Sequence, residues 1–109
     1  MTVTENRQGT ATVVSVQGRL DAVTSSEFEK KLLGIVDGGC RKLVIDCSAL
    51  DYISSAGLRV FLATAKHLKN LQGSIVVAAP LAQVREIFDI AGFSAILPIL
   101  PTVAEATKE

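Results

Sequence analysis

Residues 44–62 read Val-Ile-Asp-Cys-Ser-Ala-Leu-Asp-Tyr-Ile-Ser-Ser-Ala-Gly-Leu-Arg-Val-Phe-Leu. The continuously apolar run 43–45 predicts a short strand, covered on both faces, that ends at Asp46. A short surface loop would follow, and the paired serines Ser54 and Ser55 would lie where a helix begins. A serine in that place usually caps the helix, because its hydroxyl oxygen accepts a backbone N–H that the first turn leaves unpaired.

The N-terminal residues predict a β-hairpin. Thr2–Arg7 and Thr10–Gln17 are the two strands, and Gln8-Gly9 is the turn between them. Val14 and Val16 lie on one face of the second strand, as a side-chain period of two requires.

A helix is predicted between this hairpin and the strand at 43–45. Thr24 and Glu27 have the spacing of a capping box, and Val23 and Phe28 have the spacing of a hydrophobic staple. The helix is therefore expected to begin at Thr24 and to end at the glycine pair 38–39, which supplies a positive-φ stop.

The second half of the chain continues the alternation. The helix that begins near Ser55 is followed by an apolar strand at 75–79, a helix opened by Pro80, a strand at 96–100 and a terminal helix at 101–108. Pro98 confines the last strand to a sheet edge, because proline has no N–H to donate. The order β-β-α-β-α-β-α-β-α predicts an α/β fold, a mixed and mostly parallel sheet flanked by about four helices. We expect residues 1–109 to form a single domain.

Composition excludes several functions. Eleven basic residues balance eleven acidic ones, so the chain lacks the excess of cations that a nucleic-acid-binding protein uses to neutralise phosphates. No apolar run approaches the length of a membrane span, and the first residues do not resemble a signal peptide. We expect a soluble, cytoplasmic protein that does not insert into a membrane.

No metal or cofactor site is predicted. Asp46 and Asp51 could contribute to an oxygen-ligand site, but such sites need more ligands, and both are expected to be solvated turn residues. Cys40 and Cys47 do not have a metal-binding spacing and are expected to pack as small apolar residues. No glycine-rich phosphate loop occurs, and His67 has no nucleophile motif beside it.

Three segments resemble one family. Gly18–Thr24 (GRLDAVT), Leu43–Leu50 (LVIDCSAL) and Tyr52–Leu58 (YISSAGL) are similar to segments of the STAS domain, specifically of the stand-alone bacterial anti-sigma factor antagonists. The third segment is the most specific, since it matches that family's phosphorylation loop. The resemblance covers essentially the whole chain and implies the STAS fold.

The resemblance also implies the site. Aligned on Gly57 and Leu58, Ser55 falls on the family's phosphoacceptor serine, and Ser54, a second candidate, falls where the family commonly has an aspartate. Arg59 could pair with a phosphate on Ser55 or with a partner. The residues expected to contact a partner are Asp21, Thr24, Asp51, Ser54, Ser55, Ala56, Gly57, Leu58 and Arg59.

The implied function is partner switching, in which the chain performs no catalysis. The unphosphorylated form would bind an anti-sigma factor that is also a serine kinase of the histidine-kinase-like ATPase type. The kinase would phosphorylate Ser55 and release the antagonist, which frees the kinase to hold its sigma factor again. A metal-dependent serine phosphatase would reset the cycle.

Other functions stay open at this point. The chain could be a STAS adaptor subunit of a membrane transport complex, or a small hydrolase that uses Ser55 and a general base. Ser54 could serve only as a helix cap, and Asp21 only as a turn residue ahead of a helix.

Overall fold

The computed structural model describes residues 1–108, which fold into five strands and four helices. The elements are β1 (Thr2–Gln8), β2 (Ala11–Leu20), α1 (Ala22–Asp37), β3 (Lys42–Ile53), α2 (Ser55–Asn70), β4 (Ser74–Ala78), α3 (Ala82–Ile90), a 3-10 turn (Phe93–Ala95), β5 (Ile99–Leu100) and α4 (Val103–Thr107).

The five strands form one sheet in the order β1-β2-β3-β4-β5. β1 runs antiparallel to β2, as the hairpin predicted, and the other three pairs of neighbours are parallel. Helices therefore connect the parallel strands, since a parallel pair cannot be joined by a tight turn. The predicted mixed α/β fold is confirmed.

Helices α1, α2 and α3 cover one face of the sheet and enclose the larger core. Three phenylalanines, one from each helix, meet at its centre. The ring centroids of Phe28 and Phe61 lie 5.8 Å apart, and those of Phe61 and Phe88 lie 5.3 Å apart in an edge-to-face arrangement. Such pairs contribute about 0.5–1.5 kcal/mol each beyond the burial of their area. The three helices are thereby fixed to one another as well as to the sheet.

The short helix α4 packs on the opposite face. Ala106 is buried there against Val13 and Val44 of the central strands. Val13 and Val14 thus point to opposite faces of β2, since Val14 belongs to the larger core. The alternation predicted for this strand is confirmed.

The strand that contains Asp46 is much longer than predicted. β3 continues through Cys47 and Leu50 to Ile53, so the expected surface loop is strand. Ala49, Leu50, Tyr52 and Ile53 stay paired with β2 although the register shifts twice, once between Ser15 and Gln17 and once between Gly18 and Arg19. Backbone pairing with β2 holds this segment extended where the sequence had predicted a surface loop.

The start of α1 also differs from the prediction. Asp21 is the N-cap and Thr24 is the third helical residue, so the helix begins at Ala22. The expected capping box between Thr24 and Glu27 and the expected staple between Val23 and Phe28 are both wrong. Val23 is 71% exposed and contributes nothing to the core.

The remaining differences are shifts of boundaries. β5 is limited to Ile99–Leu100 and lies at the sheet edge after Pro98, in keeping with the missing proline N–H. α3 begins at Ala82, two residues after Pro80, and α4 covers five residues of the predicted 101–108.

Candidate functional site

The candidate site lies where two helices begin beside each other. β2 and β3 are parallel, and each is followed almost at once by a helix, so α1 and α2 both start at the carboxyl end of the sheet. The backbone N–H of Ser54 donates to the carbonyl oxygen of Leu20 at 2.8 Å, which joins the start of α2 to the end of β2. The residues predicted from sequence at Asp21 and at 54–59 are therefore neighbours.

The two serines have different environments. Ser54 is the N-cap of α2, and its hydroxyl oxygen accepts the N–H of Gly57 at 3.2 Å. Ser55 is the first helical residue, is exposed, and has no side-chain hydrogen bond to another of residues 1–108. Serine and aspartate are similarly good N-caps. Ser54 thus keeps the capping function at a position where the family resemblance places an aspartate, and it leaves Ser55 available.

Asp21 and Thr24 form the cap of α1. The carboxylate of Asp21 accepts the backbone N–H groups of Val23 at 3.0 Å and Thr24 at 2.9 Å. The hydroxyl of Thr24 accepts the N–H of Asp21 at 2.9 Å and donates to the carbonyl oxygen of Arg19 at 2.7 Å. The hydrogen bond from the backbone N–H of Thr24 is the main cause that lowers the pKa of the Asp21 carboxyl. Asp21 therefore carries a negative charge at neutral pH beside the start of α2.

Gly57 allows the two helix starts to come this close. A Cβ atom on Gly57 would lie 2.7 Å from Cγ1 of Ile53, 3.1 Å from Cβ of Leu20 and 3.3 Å from the hydroxyl oxygen of Ser25. All three neighbours are buried, so none can move away freely. Gly57 is itself buried, so it contributes to the site by letting the start of α2 pack against the end of β2 and not by contacting a partner.

The exposed surface of the site comes from both helices. We call the exposed residues Asp21, Val23, Ser26, Ser55 and Arg59 the two-helix face. A shallow cleft of about 270 Å³ borders this face and is lined by Ala22, Ser25, Ser26, Glu29, Ala56, Arg59 and Val60. Sequence reasoning missed Val23 and Ser26. Val23 is an apolar residue in the first turn of α1 that does not pack in the core, and this apolar side chain was the signal in the sequence for a contact surface here.

The other predicted site residues lie around this face. Ala56 and Leu58 are half-buried, and Leu58 packs against the core. Asp51 is exposed on β3, three residues before Ser54. Nearby, the guanidinium carbon of Arg19 lies 4.4 Å from the ring centroid of Tyr52 and holds these strand ends together.

Comparison with known proteins decides the family. The model described as the STAS domain matches residues 2–106. The chain is 42% identical over 87 residues to a proposed anti-sigma factor antagonist of Bordetella bronchiseptica, BtrV, and this alignment covers 80% of the chain and 75% of BtrV. This chain belongs to the STAS-domain family of anti-sigma factor antagonists. The predicted family is confirmed.

Solved structures agree with this assignment. The crystal structure of an anti-sigma factor antagonist from Mycobacterium paratuberculosis matches with a TM-score of 0.88 at 30% identity, and the match covers 96% of this chain and 89% of that one. The unphosphorylated form of SpoIIAA matches with a TM-score of 0.82 at 19% identity, over 96% of this chain and 92% of that one. The second likeness shows the STAS fold alone.

The structure places the single histidine, His67, far from Ser55. Nε2 of His67 lies 4.0 Å from Oδ1 of Asp37, and both residues belong to the C-terminal parts of their helices. Ser55 begins α2, so twelve residues, about 18 Å of helix, separate it from His67. This Ser-His-Asp combination is not assembled around Ser55.

Asp46 is not the solvated turn residue that the sequence predicted. It lies within β3, is half-buried, and its carboxylate accepts the hydroxyl of Ser15 at 3.1 Å and the N–H of Ser48 at 3.0 Å. Among residues 1–108, no group of three His, Cys, Asp or Glu side chains is placed to hold a metal ion. In the same part of the chain, no helix has both the length and the apolar character needed to cross a membrane.

Proposed function

We propose that this STAS-domain protein is the antagonist in a partner-switching pathway, and that its switch is phosphorylation of Ser55. The unphosphorylated two-helix face binds an anti-sigma factor that is also a serine kinase of the histidine-kinase-like ATPase type. Phosphorylation of Ser55 releases the antagonist, and a metal-dependent serine phosphatase removes the phosphate.

The observation that carries this proposal is the difference between Ser54 and Ser55. The Ser54 hydroxyl is occupied by the N–H of Gly57, whereas the Ser55 hydroxyl is exposed on the first residue of α2. A kinase must reach the acceptor oxygen from solvent. Ser55 meets that requirement without disturbing the cap of the helix.

The fold should tolerate a phosphate at Ser55. The first turn of a helix has unpaired N–H groups and the positive end of the helix dipole, and both favour an anion. A phosphate adds about −1.5 to −2 charge at neutral pH and three acceptor oxygens. Arg59, one helical turn later, presents a cation on the same side of α2. The modification therefore acts at the surface and leaves the core intact.

The same phosphate should disrupt docking. The two-helix face carries one carboxylate, Asp21, and one cation, Arg59, so a phosphate of about −1.5 to −2 charge changes it from electrically balanced to negative. A partner that fits a neutral hydroxyl would have to accommodate extra volume and bury an unpaired charge. Such a penalty is several kcal/mol, which weakens binding by about 10²–10³-fold.

Phosphorylation by the cognate kinase tests the proposal. Wild-type protein, Ser54→Ala and Ser55→Ala are incubated with the kinase and ATP, and the phosphopeptides are located by mass spectrometry. We expect one phosphate on Ser55 in the wild type and in Ser54→Ala, and none in Ser55→Ala. Phosphate on Ser54, or unchanged incorporation in Ser55→Ala, would show that the wrong serine is assigned. Circular dichroism of each variant controls for loss of the fold.

A further inference from the structure

A basic groove lies between α1 and β1 on the helix-covered face of the sheet. Its volume is about 540 Å³, and its lining includes Arg7, Lys30, Lys31, Gly34, Thr12 and Arg41. Arg7 lies opposite Thr12 in the β1–β2 register, so its side chain is on the same face as α1. Four of the eleven cations of an electrically balanced chain thus surround one groove, together with the single carboxylate of Glu5.

The fold gives these cations few partners. Within residues 1–108 the one lysine or arginine that pairs with a carboxylate is Arg85, with Asp89, and neither residue belongs to the groove. Arg41 donates to the carbonyl oxygens of Val36 at 3.2 Å and Cys40 at 2.9 Å, which holds its guanidinium at the groove wall. Arg7, Lys30 and Lys31 are exposed and are available to an anionic ligand.

Gly34 adds a second, independent observation. It lies inside α1, where glycine is one of the least favourable residues. A Cβ atom on Gly34 would meet no atom within 4 Å, so packing within the protein does not require a glycine there. Its missing side chain opens the wall of the groove instead. A ligand can therefore approach the backbone of α1 closely between Lys30 and Arg41.

The groove is remote from the two-helix face. Arg41 directly precedes β3, and Ser54 directly follows it, so the full twelve residues of that strand separate the two sites. The groove also borders β1, which is an edge strand of the sheet. An edge strand presents backbone N–H and C=O groups to which an extended peptide can pair.

We propose that this groove is a second interaction surface, which binds an extended acidic segment of a protein partner alongside β1. Most of the lining residues are exposed, so a small molecule could not bury the 70–90% of its surface that is typical of a ligand pocket. An extended segment needs no such enclosure, because it pairs with the strand edge and directs alternate acidic side chains toward Arg7 and Lys31. A partner bound here leaves Ser55 accessible.

The probe for this surface is a fluorescein-labelled peptide of eight residues in which glutamate alternates with threonine. Fluorescence anisotropy should show saturable binding that weakens as salt rises, because exposed charges are screened. We expect the double variant Arg7→Ala/Lys31→Ala to bind about 5- to 20-fold more weakly, since two exposed ion pairs are lost. The matched control Lys66→Ala/Lys69→Ala removes the same charge from α2 and should bind as the wild type does.

Gly34→Ala tests the shape of the groove separately from its charge. It should weaken peptide binding several-fold while the melting temperature rises, so a loss of binding cannot be attributed to unfolding. Backbone amide shifts on peptide addition should be confined to 5–7 and 30–41. Equal binding by the groove variants and the α2 control would overturn the proposal, as would shifts centred on 54–59. Preferential binding of inorganic pyrophosphate over the peptide would also overturn it. Ser55→Glu should leave peptide affinity unchanged, so this test is independent of the proposed phosphorylation.

Discussion

Substitution of Gly57 by alanine is the sharpest test of how the site is built. The added methyl would lie 2.7 Å from Cγ1 of Ile53 and 3.1 Å from Cβ of Leu20. Ile53 is 2% exposed and Leu20 is fully buried, so neither side chain can rotate into solvent. The start of α2 must therefore move away from the end of β2.

The expected cost follows from these contacts. Inserting a methyl group into a well-packed core destabilises a protein by about 1–3 kcal/mol. Alanine is favoured over glycine inside a helix by about 0.5–1 kcal/mol, which offsets part of the cost. We expect a net loss of about 1–2 kcal/mol, or a melting temperature lower by about 4–8 °C in a domain of this size.

Gly34→Ala is the matched control, because it makes the same chemical change inside α1 where no atom lies within 4 Å. It should stabilise the fold by about 0.5–1 kcal/mol. Thermal and urea unfolding, followed by circular dichroism, measure both variants against the wild type. A melting temperature of Gly57→Ala equal to or above that of the wild type would refute the close approach of α2 to β2.

Three further outcomes are expected. Ser54→Ala should destabilise the fold by about 1 kcal/mol, because α2 loses its N-cap, and a melting temperature lowered by about 4 °C in circular dichroism would show this. The Asp21 carboxyl has a pKa below its ordinary value of 3.8, mainly because the backbone N–H of Thr24 donates to it. The ionised Asp21 carboxylate therefore stabilises the fold fully above pH 3.8, and this contribution is lost as the pH falls through the lowered pKa. The difference in unfolding free energy between the wild type and Asp21→Asn should shrink over that range. A difference that does not change with pH would contradict this assignment. Burial raises the pKa of the Cys47 thiol, whereas Cys40 is half-buried. A thiol reagent should therefore modify Cys40 first in the folded protein. Faster labelling of Cys47 would contradict its burial.

The periodicity of apolar residues and the cap residues predicted most of the helices and strands from sequence. Alternating and continuous apolar runs predicted the strands, and the serine pair predicted the start of α2 to within one residue. The candidate site was predicted from this pair only through the family resemblance, because adjacent serines at a helix start indicate no more than a cap by themselves. Local sequence was sufficient for the helices and strands because each signal acts within a few residues.

One error came from pairing between distant segments, and the other came from two cap spacings within the same few residues. Residues 46–53 include two aspartates and a serine, and they stay in β3 because β2 pairs with them about thirty residues away in sequence. Two cap spacings compete at the start of α1, and the structure selects Asp21, with the Thr24 hydroxyl bonded to the carbonyl oxygen of Arg19. The length of β3 cannot be read from neighbouring residues, and the start of α1 offers two cap spacings between which the local sequence does not decide.

The most direct measurement is the affinity of the anti-sigma factor for two forms of this protein, unmodified and stoichiometrically phosphorylated on Ser55, by isothermal titration calorimetry. We predict a dissociation constant about 10²–10³-fold higher for the phosphorylated form, with unchanged circular dichroism. Equal affinities of the two correctly folded forms would contradict control by a charge placed at the start of α2.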